Sequence, residues 1–420
     1  MKKRIAIVGT GISGLTTAYL LNQEHDIIVY EENDYIGGHT ATKKVQESGN
    51  TLNIDTGFIV FNDWTYPNFI ALMNKLGVDY QPTEMSFSVT SEKANLEYNG
   101  NTLNSLFAQR RNILRPRFWR IIGDILTFNK ACKRMVAKKR DTEGLTLNDI
   151  IEELGLSDDF ARYYILPMCA AIWSATLAQT RQFPLTFFLQ FFNNHGLLNI
   201  NDRPQWYTIK GGSNQYIPPL TASFKDKIKL SCGVQSVDKK EEYWFVKDKQ
   251  GNTERFDEVV LACHSDQALR MLGSPSPAQQ EILSAIPYAA NDVILHKDKD
   301  QLPKRKLAWA SWNYRLNDEA NEEQRPASVT YNMNILQKLD AKNEYCVTLN
   351  KNDITASDII GQYSYAHPQY SEAMVKAQQR RLEICGQDGL HFCGAYWYSG
   401  FHEDGVKSAL DVCARFGARL

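Results

Sequence analysis

The feature that most constrains this chain lies in its first forty residues. An apolar run over residues 5–8 leads into Gly9-Thr10-Gly11-Ile12-Ser13-Gly14, and Ile27-Ile28-Val29-Tyr30-Glu31 follows after a helix-length interval. That order reads strand, glycine turn, helix, strand, acid. Gly9 permits the tight turn, Gly11 lets backbone N–H groups come close to a pyrophosphate, and Gly14 lets helix and strand pack closely. The helix N-terminus, with Ile12 and Ser13 as its first donors, then faces the phosphates. Glu31 can accept hydrogen bonds from a ribose hydroxyl, which suits FAD or NAD and would repel the 2′-phosphate of NADP. A simple glycine turn would need neither the flanking strands nor the acid.

The 420 residues leave room for two or three domains. With 47 Lys and Arg against 48 Asp and Glu, the balance argues against nucleic acid as a partner. No apolar stretch reaches the roughly 18 residues that cross a bilayer. Met1-Lys2-Lys3-Arg4 before an apolar run imitates an export signal, but that run opens onto glycines at turn positions and reads as the first strand. Eight cysteines are scattered without two-residue spacing. Neither a zinc site nor a disulfide framework is expected, and a reducing cytoplasm fits.

A second glycine pair narrows the dinucleotide. Glu31-Glu32-Asn33-Asp34-Tyr35-Ile36-Gly37-Gly38-His39-Thr40 resembles the segment after the second strand in flavoproteins of the flavin amine oxidase and phytoene desaturase superfamily. The resemblance implies that Glu32, Gly37, Gly38, His39 and Thr40 lie along FAD, with His39 where an arginine is common. Lys210-Gly211-Gly212-Ser213, Cys232-Gly233-Val234 and Asp257-Glu258-Val259-Val260-Leu261-Ala262-Cys263 resemble the middle return to the FAD domain, adding Val234 and Ala262. Leu390-His391-Phe392-Cys393-Gly394-Ala395 resembles the closing strand, adding Gly394 and Ala395. The last helix is then implied to point Gly405 and Val406 at the flavin N1–C2 edge, where its dipole stabilises negative charge.

Asp55-Thr56-Gly57-Phe58-Ile59-Val60-Phe61-Asn62, Ala308-Trp309-Ala310-Ser311-Trp312-Asn313-Tyr314 and Gly400-Phe401-His402-Glu403-Asp404-Gly405 together are similar to a group of bacterial FAD/NAD-binding oxidoreductases related to the amine oxidases. Members are often associated with cyclopropane or otherwise modified fatty acids. Gly57 and Phe58 join the implied FAD contacts. The implied fold is α/β: a Rossmann-like FAD-binding domain of the amine-oxidase type, assembled from residues 1–75, 205–275 and 360–420. An α+β substrate domain then comes from residues 76–204, mainly helical, and 276–359, mainly sheet. Phe118, Ile122, Ile125, Phe128, Cys132 and Met135 recur at helical spacing, whereas residues 291–296 and 328–331 read as strands.

The flavin supplies the redox chemistry, and the protein positions a substrate over it. Amine oxidases of the superfamily usually start a substrate-domain strand with a lysine; here Asn291-Asp292 stands in its place, which turns the reading toward desaturation, saturation or isomerisation of a carbon chain. Asp292 and His296 are candidate bases or polar anchors. His402 is the better placed acid–base candidate, and Trp397 and Tyr398 are expected at the flavin face. Glu403 and Asp404 serve equally well as N-caps of the last helix. No cysteine stands where covalent flavin attachment is expected, so FAD should be non-covalent.

From Arg110 to Arg140 the chain holds eleven Lys or Arg against one acid, Asp124. Such a face can dock on anionic lipid or simply be solvated, and both readings stand. Three functions compete: an FAD-dependent oxidoreductase on a hydrophobic substrate, a fatty-acyl chain among the candidates, peripheral at the inner membrane face; a flavin amine oxidase; and a non-catalytic flavin-binding partner of a lipid-modifying enzyme.

Overall fold

A computed structural model of the chain describes residues 1–316, 321–351 and 353–420. The opening turn forms as expected, with strand Arg4–Val8 followed by helix Ile12–Leu21, in which every residue except Tyr19 is buried. A helix apolar on all sides has to lie between two layers. This one packs between a sheet and the last helix, His402–Ala414. The sheet has five strands in the order Ile228–Lys229, Asp26–Tyr30, Arg4–Val8, Glu258–Leu261 and Leu390–Phe392, all parallel. The first helix covers one face and the three-stranded antiparallel sheet Val234–Lys240, Tyr243–Asp248 and Thr253–Phe256 the other, so the central strands are buried and largely apolar.

A second sheet of seven strands runs in the order Ile359–Pro368, Tyr288–His296, Cys346–Leu349, Val329–Asn332, Trp312–Leu316, Phe87–Ser91 and Leu96–Asn99. All neighbours are antiparallel except Trp312–Leu316 against Phe87–Ser91. Two expected boundaries move as a result. Ile359–Pro368 pairs along its length with Tyr288–His296, so the third FAD piece cannot begin at residue 360. The stretch 76–204, expected to be mainly helical, also supplies two strands of this sheet. Both misplacements have the same origin, since a strand's sheet is decided by its partner and not by its own alternation.

The basic segment splits into a 3₁₀ turn, Arg110–Leu114, and a helix, Pro116–Ala137. Phe118, Ile121, Phe128, Cys132 and Met135 line its buried face, while Ile122 and Ile125 are only half-buried. Among the described residues no helix is long and apolar enough to cross a membrane.

One contact fixes the first helix against the sheet. A Cβ built on Gly14 would lie 2.0 Å from the Gly9 carbonyl oxygen, a backbone atom that cannot swing aside. Gly14→Ala should therefore cost about 3 kcal/mol or more of unfolding free energy. A urea midpoint close to that of the parent chain would show that this helix is free to move outward.

Candidate functional site

The glycine turn builds an anion cradle. Gly9 has φ +108°, and Leu15 N makes the helix's first backbone bond, 3.0 Å to Gly11 O. The amides of Ile12, Ser13 and Gly14 precede that bond and are the donors of the helix N-terminus. A Cβ built on Gly11 meets no atom within 4 Å, so this turn opens onto space of its own. Gly38 comes up against it, its own Cβ position 3.2 Å from Gly11 Cα, which brings both glycine motifs to one place. Ala262 closes the far side, its carbonyl oxygen 2.8 Å from the Cβ position of Gly9.

Other implied FAD contacts gather around the same cradle. Gly405 lets the last helix cross the first, because a Cβ there would lie 2.6 Å from Ile12 Cγ2; Val406 beside it is fully buried. Gly57 packs against the His39 carbonyl oxygen, 2.1 Å from its Cβ position, and Phe58 N donates to that oxygen at 2.8 Å. Gly394 N donates to Ser408 Oγ at 2.8 Å, tying the closing strand, and Ala395 after it, to the last helix. Cys232 N donates to Glu31 O at 2.8 Å and sets buried Val234 alongside.

Glu31 has a role that the spacing does not foretell. Its Oε2 accepts from Thr10 N at 2.9 Å and Thr10 Oγ1 at 2.5 Å, and its Oε1 from Asn33 N at 2.9 Å and Asn33 Nδ2 at 2.8 Å. Those four bonds fill the carboxylate's acceptor positions. Glu31 is thus a brace between the first turn and the second. Glu32 corrects its expected role: it points outward and pairs with Lys249 at the surface.

Four of the chain's eight histidines converge beyond Gly38. The ring of His39 lies 5.7 Å from that of His264 and 5.6 Å from those of His367 and Tyr365. His264 stacks on Tyr288 at 4.4 Å, and His367 Nδ1 accepts from Ser174 Oγ at 3.1 Å and Asn291 Nδ2 at 3.4 Å. Asn291 is therefore the residue that turns inward where lysine is expected. Asp292 is exposed, and His296 is buried in the seven-stranded sheet against Thr348, 2.7 Å away, so neither expected anchor reaches this cluster. His402 stacks on Phe58 at 3.6 Å, with Nε2 3.1 Å from Thr40 Oγ1 and 3.2 Å from Tyr216 OH. Burial lowers the basicity of all four rings, His264 to about 4 and His367 to about 3, and each is neutral at pH 7.

An aromatic wall adjoins this cluster. Trp173, next to Ser174, packs 4.6 Å from Phe191; Phe191 stacks on His195 at 3.9 Å and lies 5.3 Å from Phe401, next to His402. Trp397 and Tyr398, expected at the flavin face, are elsewhere. Tyr398 donates to Asp411 at 2.6 Å under the Lys407 ammonium, and Trp397 lies against the Arg381 guanidinium. Tyr398 is half-buried on the flank of the last helix, whereas Trp397 is buried 4.9 Å from Tyr396, which itself lies near Tyr288 and Cys263. Glu403 and Asp404 are both caps, of different helices: Asp404 accepts from Phe401 N at 2.9 Å, and Glu403 accepts from Phe69 N at 2.8 Å in the helix Pro67–Leu76.

The residues present fit FAD. The cradle is open at Gly11, and His39 Nε2, Trp173 Nε1 and Tyr396 OH are buried polar atoms without a hydrogen-bond partner among the described residues. Sequence reasoning missed His264, His367, Ser174, Trp173 and Tyr216. None belongs to a recognisable motif, and only the small histidine total could have drawn attention to two of them.

Comparison with known proteins agrees with this geometry. The family described as flavin containing amine oxidoreductase matches residues 12–297, and the chain belongs to it. It is an FAD-dependent oxidoreductase. Zeta-carotene desaturase of Zea mays is 39% identical over 79 residues, covering 19% of this chain and 13% of that protein. 15-cis-phytoene desaturase of Synechococcus elongatus is 39% identical over 77 residues, 18% of this chain and 15% of the relative. Among solved structures, a CLA-producing fatty acid isomerase from P. acnes superposes with TM-score 0.71 at 14% identity, covering 99% of this chain and 98% of that one. Cyclohexylamine oxidase from Brevibacterium oxydans IH-35A gives 0.69 at 15% identity, covering 99% and 100%. At such identities the superpositions show a shared fold.

Gly11→Val should leave the urea midpoint of the flavin-free chain within about 0.5 kcal/mol, because the new methyls enter open space. The same change should weaken FAD binding at least about tenfold, or about 1.4 kcal/mol, by filling the phosphate cradle; undiminished affinity in a flavin titration would move the cofactor elsewhere. Acidification should expose the histidines. The unfolded chain binds protons on these rings below about pH 6.5, the folded chain does so only near 4 or below at His264 and His367, and unfolding free energy therefore falls as pH drops through that window. His367→Gln keeps an acceptor for Ser174 and removes one titrating ring, so its acid loss should be shallower than the parent's. Parallel stability curves between pH 6.5 and 4 would mean that His367 takes its proton while folded.

Proposed function

We infer that this FAD-dependent oxidoreductase acts on an uncharged hydrophobic carbon chain, a fatty-acyl chain being the substrate class, and desaturates, saturates or isomerises it. The observation that carries this reading is the meeting of an aromatic wall with four neutral imidazoles. Trp173, Phe191 and Phe401 offer apolar surface, while the depressed basicity of His39, His264, His367 and His402 keeps net charge out of the same space. A charged headgroup would have to shed its water here without an ionic partner. Asn291 in place of the usual lysine fits a substrate with no amine to deprotonate.

In this reading the five-stranded sheet and its helices hold FAD, with the amides of Ile12, Ser13 and Gly14 at the pyrophosphate and the last helix's N-terminus at the flavin. The seven-stranded sheet and the helical insert hold the substrate. Bound flavin supplies the hydride chemistry. His39, with a buried unpartnered Nε2, is the ring best placed to accept or hold a proton in the cluster. His402, tied to Thr40 and Tyr216, positions the Phe58 turn. We place the protein in the cytoplasm, in peripheral contact with a membrane through the segment from Arg110 to Arg140. The desaturases and the fatty acid isomerase among the similar proteins support a lipid; the cyclohexylamine oxidase supports an amine.

Anaerobic mixing of the FAD-loaded protein with unsaturated fatty acids and with amines separates the two. Flavin bleaching by a fatty acid, or movement of its double bond without net bleaching, is expected. Bleaching by amines alone, with hydrogen peroxide formed on admitting air, would replace the fatty-acyl reading with amine oxidation.

A further inference from the structure

Where the helical insert begins, apolar side chains stand outside the protein beside unmatched positive charge. Leu103 is 78% exposed, Ile113 47%, Leu114 86% and Trp119 50%. They belong to one knot of chain made of the short helix Leu103–Leu106, the turn Arg110–Leu114 and the start of Pro116–Ala137. Trp119 Nε1 donates to Ile113 O at 2.8 Å, and its ring lies 5.4 Å from that of Phe107. Arg110 ties the same knot by donating to Asn104 Oδ1 at 2.6 Å and Phe107 O at 3.1 Å. Apolar side chains of this size grouped in water are unusual on a surface that meets only solvent.

The charge around them separates this knot from the rest of the basic segment. Arg117 pairs with Asp159 and Arg140 with Glu153, so both are neutralised at home. Arg110, Arg111 and Arg115 instead donate to neutral oxygens, Arg111 and Arg115 both to Asn95 O at 2.7 and 3.0 Å, and keep their full charge. Exposed Arg120 lies one residue beyond Trp119. Asp124, the acid of the segment, is turned away, accepting from Ser157 N and Oγ.

We propose that this knot is a membrane-docking platform: Leu103, Ile113, Leu114 and Trp119 enter the interfacial layer of an anionic bilayer while Arg110, Arg111, Arg115 and Arg120 meet its phosphates. It deepens the membrane contact inferred above, confining it to the head of the segment. The chemistry matches in each part. Apolar side chains of such platforms enter to a depth of roughly 5–10 Å. A tryptophan with its N–H already satisfied presents an apolar face at headgroup level. Arginine carries phosphate well because its planar fork binds two oxygens at once.

Sedimentation of the full-length FAD-loaded protein with vesicles tests the platform. Phosphatidylcholine vesicles containing phosphatidylglycerol should carry the protein down, phosphatidylcholine alone should not, and binding should fall steeply as salt shortens the screening length. Arg110→Gln, Arg111→Gln, Arg115→Gln and Arg120→Gln combined should weaken binding by roughly fivefold per arginine and flatten the salt dependence. Leu103→Ser with Leu114→Ser should weaken it at least tenfold with the charges intact. Both variants should keep the parent's flavin spectrum, since the altered side chains lie outside the glycine cradle and the histidine cluster, and the leucine variant should keep the parent's melting point, since Leu103 and Leu114 face solvent. Equal binding to both vesicles, leucine variants that bind as the parent does, or a parent dimer that the leucine changes make monomeric would each overturn the proposal. None of these results touches the fatty-acyl reading, which the anaerobic experiment decides separately.

Discussion

The arrangement of the site rests on how closely two helices approach the glycine turn. Gly14 brings the first helix onto the Gly9 carbonyl, and Gly405 lets the last helix lie across the first at Ile12, both at distances that exclude any side chain. The two N-termini consequently open toward the same region. Each carries a partial positive charge from its unbonded amides, and together they make that region a place for phosphates and for a ring that gains negative charge. The brace from Glu31 to Thr10 and Asn33 holds the turn from the other side.

The electrostatics of the histidine cluster follow from burial. Imidazole rings packed among Tyr288, Tyr365, Phe58 and one another lose hydration without gaining a carboxylate partner, so the neutral form wins in each. The acids nearest in sequence are spent elsewhere. Asp404 and Glu403 cap helices, and Asp55, fully buried, accepts from Ser213 N, Thr42 Oγ1 and Gln337 Nε2, joining three separated stretches of chain around it. Polar groups are abundant here, yet almost all are bound to one another. What is left over is a few spare donors and acceptors around an apolar wall.

The glycine turns were readable in the sequence and the histidine cluster was not, for a physical reason. Nucleotide binding uses backbone, and backbone that must come close to a phosphate or turn sharply forces glycine at fixed spacing; Gly9, Gly11, Gly14, Gly37 and Gly38 are such positions. The histidine cluster uses side chains delivered by four unrelated segments, and nothing in the residues around His264 or His367 marks them. Asn291 could be narrowed only to a pair with Asp292, because a one-residue shift of register exchanges the two faces of a strand. Trp397 and Tyr398 were misplaced by the same kind of shift, in a turn that directs Trp397 against Arg381 and Tyr398 toward Asp411. The strand Ile359–Pro368 went to the wrong sheet because pairing is a long-range choice.

The head of the insert differs from most of the ion-paired surface. Many cations find carboxylates: Lys3 meets Glu258, Arg4 meets Glu254, Arg380 meets Glu281, Arg381 meets Asp411 and, within the insert, Arg117 meets Asp159. This accords with a net charge of −1 spread over 420 residues. At residues 110–115 the arginines are fixed by carbonyl and amide oxygens, which orient a guanidinium without cancelling it. A side chain held in place but left charged has its ordering entropy already spent and its Coulombic attraction still available. The leucines beside it, Leu103 and Leu114, stand exposed to water. Both kinds of group are prepared for a partner that is apolar and anionic together, and they stand on the insert that supplies Trp173 and Phe191 to the aromatic wall.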